Sequence, residues 1–191
     1  MGALSQAASL VIKIIVELYV FVLMLRFVLQ KIGASWYNPF CQFVIKVTEP
    51  VIKPLKRFIP GFKGFDLSII ALALILQMIL LWVLIWLGYH TLPGIVGTVV
   101  IALGQLGKKL VNIFFYAVII NAIISWFPTL RANPAAELVN LIAEPALRPA
   151  RRFVPMIGGF DLSPIVVFVV LLLINSLVMN NIINLGLRLA F

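Results

Sequence analysis

The sequence is poor in charged residues and in side chains that ligate metals or carry redox chemistry. Only 11% of its 191 residues are charged, and it contains one cysteine, Cys41, and one histidine, His90. A single cysteine excludes an intramolecular disulfide. Cysteine and histidine do not cluster at the spacing of a zinc site, and a glycine-rich phosphate loop is missing. We therefore expect no metal, no cofactor and no enzymatic activity.

Apolar side chains are abundant instead, at 63% of the chain. A soluble protein of this size could not bury so much apolar surface in one core, so the expected solvent is lipid. The net charge of +9 would suggest nucleic acid binding in a soluble protein. In a membrane protein it reports orientation and contact with anionic lipid. Because no aromatic stacking platform or nucleic-acid-binding module is visible, direct binding of nucleic acid is not expected.

Four apolar segments are long enough to span a bilayer. The first is not preceded by Lys or Arg and is longer than a signal-peptide core, so we expect it to remain as a spanning helix. The sequence thus predicts an all-α membrane protein with four transmembrane helices. Their predicted bounds are Ala3–Gln30, Ile69–Leu87, Ile95–Trp126 and Ser163–Leu185.

The two halves of the chain match without a gap at an offset of 95 residues. This predicts two tandem helix–basic loop–helix repeats, residues 1–92 and 93–191. Two spans per repeat return the chain to its starting side, so both basic loops lie on one face. The positive-inside rule then predicts cytoplasmic loops and both termini outside. The matches include Glu49-Pro50 with Glu144-Pro145, Lys56-Arg57-Phe58 with Arg151-Arg152-Phe153, and residues 64–68 with 159–163.

Each basic loop begins with apolar residues at helical spacing. They are Phe40, Phe43, Val44 and Val47 in the first repeat and Ala135, Leu138, Val139 and Ile142 in the second. This spacing predicts a short amphipathic helix in the membrane interface of each repeat. Each helix is expected to end at its glutamate, Glu49 or Glu144, because a proline follows.

The segment YNPFCQFVIKVTEPVIKPLKRFIP, residues 37–60, resembles the signature of the YggT family, also called YlmG. The segments EPALRPARRFVP and GGFDLSP in the second half fit the same pattern. The resemblance implies a multi-pass protein of the bacterial inner membrane or a plastid, with tandem repeats. It also implies a role in osmotic-stress tolerance in bacteria. Plastid and cyanobacterial members of the family that this sequence resembles are linked to division, nucleoid distribution or assembly of a photosynthetic cytochrome complex.

The loop charges suggest binding and folding roles. Glu49 and Glu144 close their helices at the end that disfavours acids, so each is expected to form a salt bridge, with a site for a charged solute or a partner protein as the alternative. The expected partners are Arg57 and Arg152, or Lys53 and Arg148. Asp66 and Asp161 precede apolar runs and are predicted helix N-caps, with a proton or cation site as the alternative. Six cations are predicted to contact anionic lipid head groups or a partner. They are Lys53, Lys56, Arg57, Arg148, Arg151 and Arg152.

Polar residues inside the predicted spans allow two interpretations. Glu17, Asn112, Asn121 and Asn180 either join helices by hydrogen bonds or line a polar pathway. Lys13, one turn before Glu17, is its expected neutralising partner.

Three functions fit these features. The first is a non-enzymatic membrane protein that organises or assembles membrane components through its basic cytoplasmic loops. Such a protein would contact membrane lipids and a membrane protein partner or further copies of itself. The second is an oligomeric ion channel or transporter contributing to osmotic tolerance. The third is a membrane tether for nucleoid or division proteins.

Overall fold

The computed structural model describes residues 3–57, 59, 66–127, 129, 133–154 and 161–191. Within these residues all regular secondary structure is helical. The helices are α1 (Ala3–Lys31), α2 (Pro39–Leu55), α3 (Leu67–Tyr89), α4 (Ile95–Trp126), α5 (Pro134–Ala150), α6 (Ser163–Leu173) and α7 (Asn180–Ala190), and a π-helical segment (Ile174–Met179) joins the last two.

Four helical stretches in the described chain are long and apolar enough to cross a membrane, so the chain is a multi-pass membrane protein. The all-helical fold and the number of spans confirm the sequence prediction. The fourth stretch was predicted to end at Leu185, but helical structure continues to Ala190. The spans are Gln6–Lys31, Leu67–Gly88, Ile95–Trp126 and Ser163–Ala190.

The outer faces of the spans are covered with apolar side chains. Ile165, Val169 and Leu172 are each more than half exposed on the last span. Exposed aliphatic side chains at this density suit a lipid environment, where backbone polar groups must be satisfied within the helix.

Helices α2 and α5 begin in the same way. Asn38 and Asn133 are their N-caps, and each side-chain oxygen accepts a hydrogen bond from a backbone N–H of the first turn, at 3.0 and 2.9 Å. The next residue in each case is proline, which suits the first helical position because its missing N–H would be unpaired there. Asn38 also donates to the Pro134 carbonyl at 2.8 Å, which ties the start of α2 to the start of α5.

The predicted ends of these two helices are wrong. Neither stops at its glutamate, because both continue through two prolines before ending at Leu55 and Ala150. A proline inside a helix costs about 3 kcal/mol or more. Ile52 and Leu147, two residues after the first proline of each pair, are fully buried, and their packing offsets part of that cost.

The outer side of α2 keeps its aromatic residues exposed. Phe40 and Phe43 are 49% and 62% exposed, while Cys41, Val44 and Ile52 face the core. Phe40 and Phe43 also line an apolar cavity of about 370 Å³ between α1, α2, α4 and α5.

Helices α4 and α7 approach each other through glycines. A Cβ atom added at Gly186 would lie 2.7 Å from the backbone nitrogen of Ile101 and 3.0 Å from the Gly97 carbonyl oxygen. A Cβ added at Gly97 would overlap the backbone of Ala190. Small residues at such contacts allow close backbone packing, which drives helix association in lipid.

Replacing Gly186 with alanine is expected to destabilise the protein by about 1–3 kcal/mol, although alanine is the better helix former. The added methyl group would press against backbone atoms that cannot rotate away. The melting temperature of purified protein in detergent measures this effect. Gly94→Ala is the matched control, since its Cβ would make an ordinary 3.5 Å contact with the Leu189 carbonyl oxygen. Equal melting temperatures for the two variants would contradict the close packing.

Candidate functional site

One cation at each basic loop lies between two carboxylates. In the first half, Lys56 Nζ is 3.5 Å from Glu49 Oε1 and 3.1 Å from Asp66 Oδ2. Glu49 lies near the end of α2 and Asp66 immediately precedes α3. The lysine therefore joins the end of one helix to the start of the next across the intervening loop.

The second half contains the corresponding triad, at positions 95 residues further along. Arg151 Nη1 is 3.0 Å from Glu144 Oε2, and Arg151 Nε is 3.0 Å from Asp161 Oδ2. The guanidinium presents separate donors to the two acids, a geometry available to arginine through its planar fork.

The glutamates form salt bridges, but with partners other than those expected. The structure pairs Glu49 with Lys56 and Glu144 with Arg151, each seven residues along the chain. The expected partners Arg57 and Arg152 form no ion pair with any described residue, and neither do Lys53 and Arg148. The prolines do not stop the helices, so α2 and α5 run further than expected and a cation two turns along comes into reach of each acid.

Arg26 of α1 adds a contact that exists only in the first half. Its side chain is 8% exposed and forms an ion pair with Glu49, and its Nη1 donates to Thr48 Oγ1 at 2.6 Å. Sequence reasoning missed this role, because an arginine near the end of a span is readily explained by snorkelling. The corresponding residue of α4 is Asn121, which donates to Asn140 Oδ1 at 3.0 Å.

The ion pairs shift the acids toward their charged form. The hydrogen bond from Arg26 lowers the pKa of Glu49 below its ordinary value, and the charges of Arg26 and Lys56 act in the same direction. Burial raises the pKa of Asp161, but the hydrogen bonds from Ser163 and Arg151 together outweigh it and leave the pKa lowered. Both acids are therefore carboxylates at neutral pH.

The two aspartates differ as helix caps. Asp66 occupies the N-cap position of α3, but its side chain makes no capping hydrogen bond and serves Lys56 instead. Leu162 rather than the predicted Asp161 occupies the N-cap position of α6, although Asp161 Oδ1 accepts the backbone N–H of Ser163 at 2.9 Å.

The six predicted loop cations fall into two groups. Lys56 and Arg151 lie within the triads described above. The remaining four have exposed side chains without an ion partner among the described residues. They are Lys53, Arg57, Arg148 and Arg152.

A second polar cluster lies within the spans. Lys109 Nζ of α4 is 2.6 Å from Glu17 Oε2 of α1 and donates to Gln77 Oε1 of α3 at 3.0 Å. Gln77 is fully buried and donates to Gln105 and, at 3.3 Å, to Glu17. The structure therefore pairs Glu17 with Lys109 rather than with Lys13.

Two further polar contacts join α4 to the last span. Asn175 donates to Asn112 Oδ1 at 2.8 Å, and Lys108 donates to Asn180 Oδ1 at 3.2 Å. Lys108 and Asn112 are one α-helical turn apart, whereas Asn175 and Asn180 are separated by five residues. The π-helical segment, in which the Asn180 N–H bonds the Asn175 carbonyl, places this pair on one face opposite α4.

The four residues of the proposed polar pathway are thus each engaged separately. The side-chain hydrogen bonds described above for Glu17, Asn112, Asn121 and Asn180 go to the side chains of other residues, and none of these bonds joins two of the four.

The sequence model of the CCB3/YggT family matches this chain twice, at residues 5–87 and 100–182. The chain belongs to the CCB3/YggT family. The two matched ranges together cover most of the chain, and each includes one loop triad.

Bacterial relatives match this chain over most of their length, and a chloroplast relative matches it over a shorter stretch. An uncharacterized protein of Pseudomonas aeruginosa is 40% identical over 182 residues, which are 95% of this chain and 92% of that protein. The uncharacterized protein YggT of Escherichia coli K12 is 36% identical over 84% of this chain and 83% of its own length. YlmG homolog protein 2, chloroplastic, of Arabidopsis thaliana is 37% identical over 42% of this chain and 31% of its own length. No solved structure matches the chain.

Replacing Arg26 with glutamine is expected to lower stability by about 1.5–3 kcal/mol, the range for hydrogen bonds to charged groups. The variant leaves Glu49 with Lys56 alone. Arg57→Gln is the control of equal charge change, and it should stay within about 0.5 kcal/mol of the wild type because Arg57 is exposed and unpaired among described residues. Thermal unfolding in detergent measures both. If Arg26→Gln and Arg57→Gln unfold at the same temperature, the buried ion pair does not stabilise the fold.

Proposed function

We propose that the chain is a non-enzymatic membrane protein that organises or assembles membrane components through its two basic loops. The loops bind anionic lipid head groups and a membrane partner, which is another protein or a further copy of this chain. The observation that carries the proposal is how the six loop cations divide. Lys56 and Arg151 each pair with two carboxylates, whereas four cations are exposed and have no ion partner among the described residues. These four are Lys53, Arg57, Arg148 and Arg152.

The exposed cations form one pair at the C-terminal end of each loop helix. Lys53 lies in the last turn of α2 and Arg57 two residues beyond its end, and Arg148 and Arg152 lie in the same way at the end of α5. Each helix end therefore carries two exposed positive charges. Each cation close to an anionic membrane surface contributes about 1 kcal/mol of attraction.

Apolar side chains beside these cations support binding at the membrane interface. Phe153, next to Arg152, is 85% exposed, and Phe43 of α2 is 62% exposed. Aromatic groups beside basic ones are typical of helices that lie in the head-group region. In this proposal α2 and α5 are the amphipathic interfacial helices of two tandem repeats in a bacterial inner membrane. Both loops then face the cytoplasm and both termini lie outside.

The double variant Arg57→Gln/Arg152→Gln is expected to weaken binding of anionic lipid by roughly ten- to thirtyfold, from about 1 kcal/mol per lost charge. Binding is measured as quenching by labelled phosphatidylglycerol in nanodiscs of otherwise zwitterionic lipid. Lys13→Gln/Arg188→Gln removes the same charge from exposed residues in the N-terminal half of α1 and the last turn of α7. Equal losses in both double variants would mean that net charge, rather than the loops, attracts the lipid.

Partner docking can be tested with the same residues. A photocrosslinker at position 152 should capture a membrane protein or a second copy of the chain, whereas one at position 188 should not. Identical products from both positions would contradict loop-specific docking.

An oligomeric ion channel or transporter is the second candidate, and the Glu17–Lys109 pair favours it. Charged side chains inside spans mark ion or proton pathways in many membrane proteins. Glu17 is 32% exposed at its side chain, so its environment is only partly closed.

For a channel, proteoliposomes containing the folded wild-type protein should pass potassium faster than empty vesicles. Glu17→Gln should change that flux at least severalfold, because it removes the charge from the pathway, while Lys13→Gln should not. Flux at the level of empty vesicles would reject the channel and leave the organising role.

A further inference from the structure

A polar cavity of about 430 Å³ lies between α4 and α5 on the side of the basic loops. Asn121, Glu137, Asn140 and Arg151 contribute its polar wall. The volume falls within the usual range of small-molecule sites, roughly 300–1,000 Å³.

The corresponding place in the first half is filled by a side chain of the protein itself. Positions 95 residues earlier along the chain replace Asn121 by Arg26 and Asn140 by Ile45. There the cavity shrinks to about 10 Å³, and Arg26 is one of the residues that line it. The Arg26 guanidinium reaches Glu49 and Thr48, so the two halves differ by one long cationic side chain.

The two places also differ in the number of cations that face the carboxylates. In the first half, the carboxylates of Glu49 and Asp66 face two cations, Arg26 and Lys56. In the second half, Arg151 is the one described cation that pairs with Glu144 and Asp161.

The cavity wall carries one more carboxylate, that of Glu137. It forms no hydrogen bond or ion pair with any described residue. The Arg151 guanidinium in the cavity wall is thus engaged by Glu144 and Asp161, and the Glu137 carboxylate has no cationic partner among the described residues.

We propose that this cavity binds a small soluble guanidinium compound, which takes the place that the Arg26 side chain occupies in the first half. Glu137 would supply the charged acceptor, and the side-chain carbonyls of Asn121 and Asn140 would accept further N–H groups. A planar guanidinium forms paired hydrogen bonds with a carboxylate, which a bare metal ion or a neutral solute cannot reproduce. The inference is independent of the proposed lipid docking, since Glu137 and Asn121 take no part in it.

Agmatine is a suitable probe, because it carries a guanidinium on a flexible chain. Titration calorimetry of the full-length protein in nanodiscs should show saturable agmatine binding and none with N-butylurea, which is uncharged. Glu137→Gln should weaken agmatine binding at least tenfold. Gln42→Ala, at the corresponding position in the first half, should leave it unchanged.

Asn121→Arg provides the sharpest test, because it transplants the Arg26 arrangement into the second half. This variant should lose agmatine binding altogether. If it does not fold, Glu137→Gln and Gln42→Ala still decide the question. Absence of agmatine binding to the wild type, or equal binding to Glu137→Gln, would overturn the proposal. Self-association that Glu137→Gln abolishes would assign the cavity to an arginine of a second copy and would also overturn the small-molecule site.

Discussion

A cation between two carboxylates joins each of the loop helices α2 and α5 to the span that follows it. Single exposed ion pairs contribute about 0–1 kcal/mol. Lys56 and Arg151 each serve two acids at once, so ordering one side chain satisfies two contacts. The acids come from opposite ends of the loop, and the triad therefore fixes how far apart the two helix ends can lie. The exposed cations on the same helices depend on that placement for their position.

The spans and the starts of α2 and α5 could be predicted from sequence, because apolar length and the helical spacing of apolar residues are local signals. The helix ends could not. Proline is a local signal for termination, whereas the burial of Ile52 and Leu147 that overrides it comes from packing against distant residues. The acids were recognised as salt-bridge formers, but the choice of Lys56 over Arg57 depends on how far the helix continues. Gln77, Gln105 and Lys109 were missed as a cluster, because they lie on different helices and no spacing connects them.

The two halves share their capping residues, prolines and triads but differ in their other polar contacts. The capping asparagines, the prolines and the triads correspond at one constant offset of 95 residues. The Glu17–Lys109 pair breaks that correspondence, because one partner comes from each half and their counterparts, Asn112 and Ile14, cannot form an ion pair. Arg26 and Asn121 differ in the same way. The two halves therefore provide two places of similar shape. The one in the first half is closed by the Arg26 side chain, and the one in the second half is open.

The π-helical segment changes which side chains of the last span face α4. A π turn advances the chain by a different angle than an α turn, so α6 and α7 are out of phase with each other. The stripe of residues that faces α4 before Ile174 does not continue at the same period after Met179. A single 3.6-residue wheel drawn through residues 163–190 would therefore misplace the side chains on one side of the π-helical segment. In this span, lipid-facing and protein-facing positions have to be counted separately from each end.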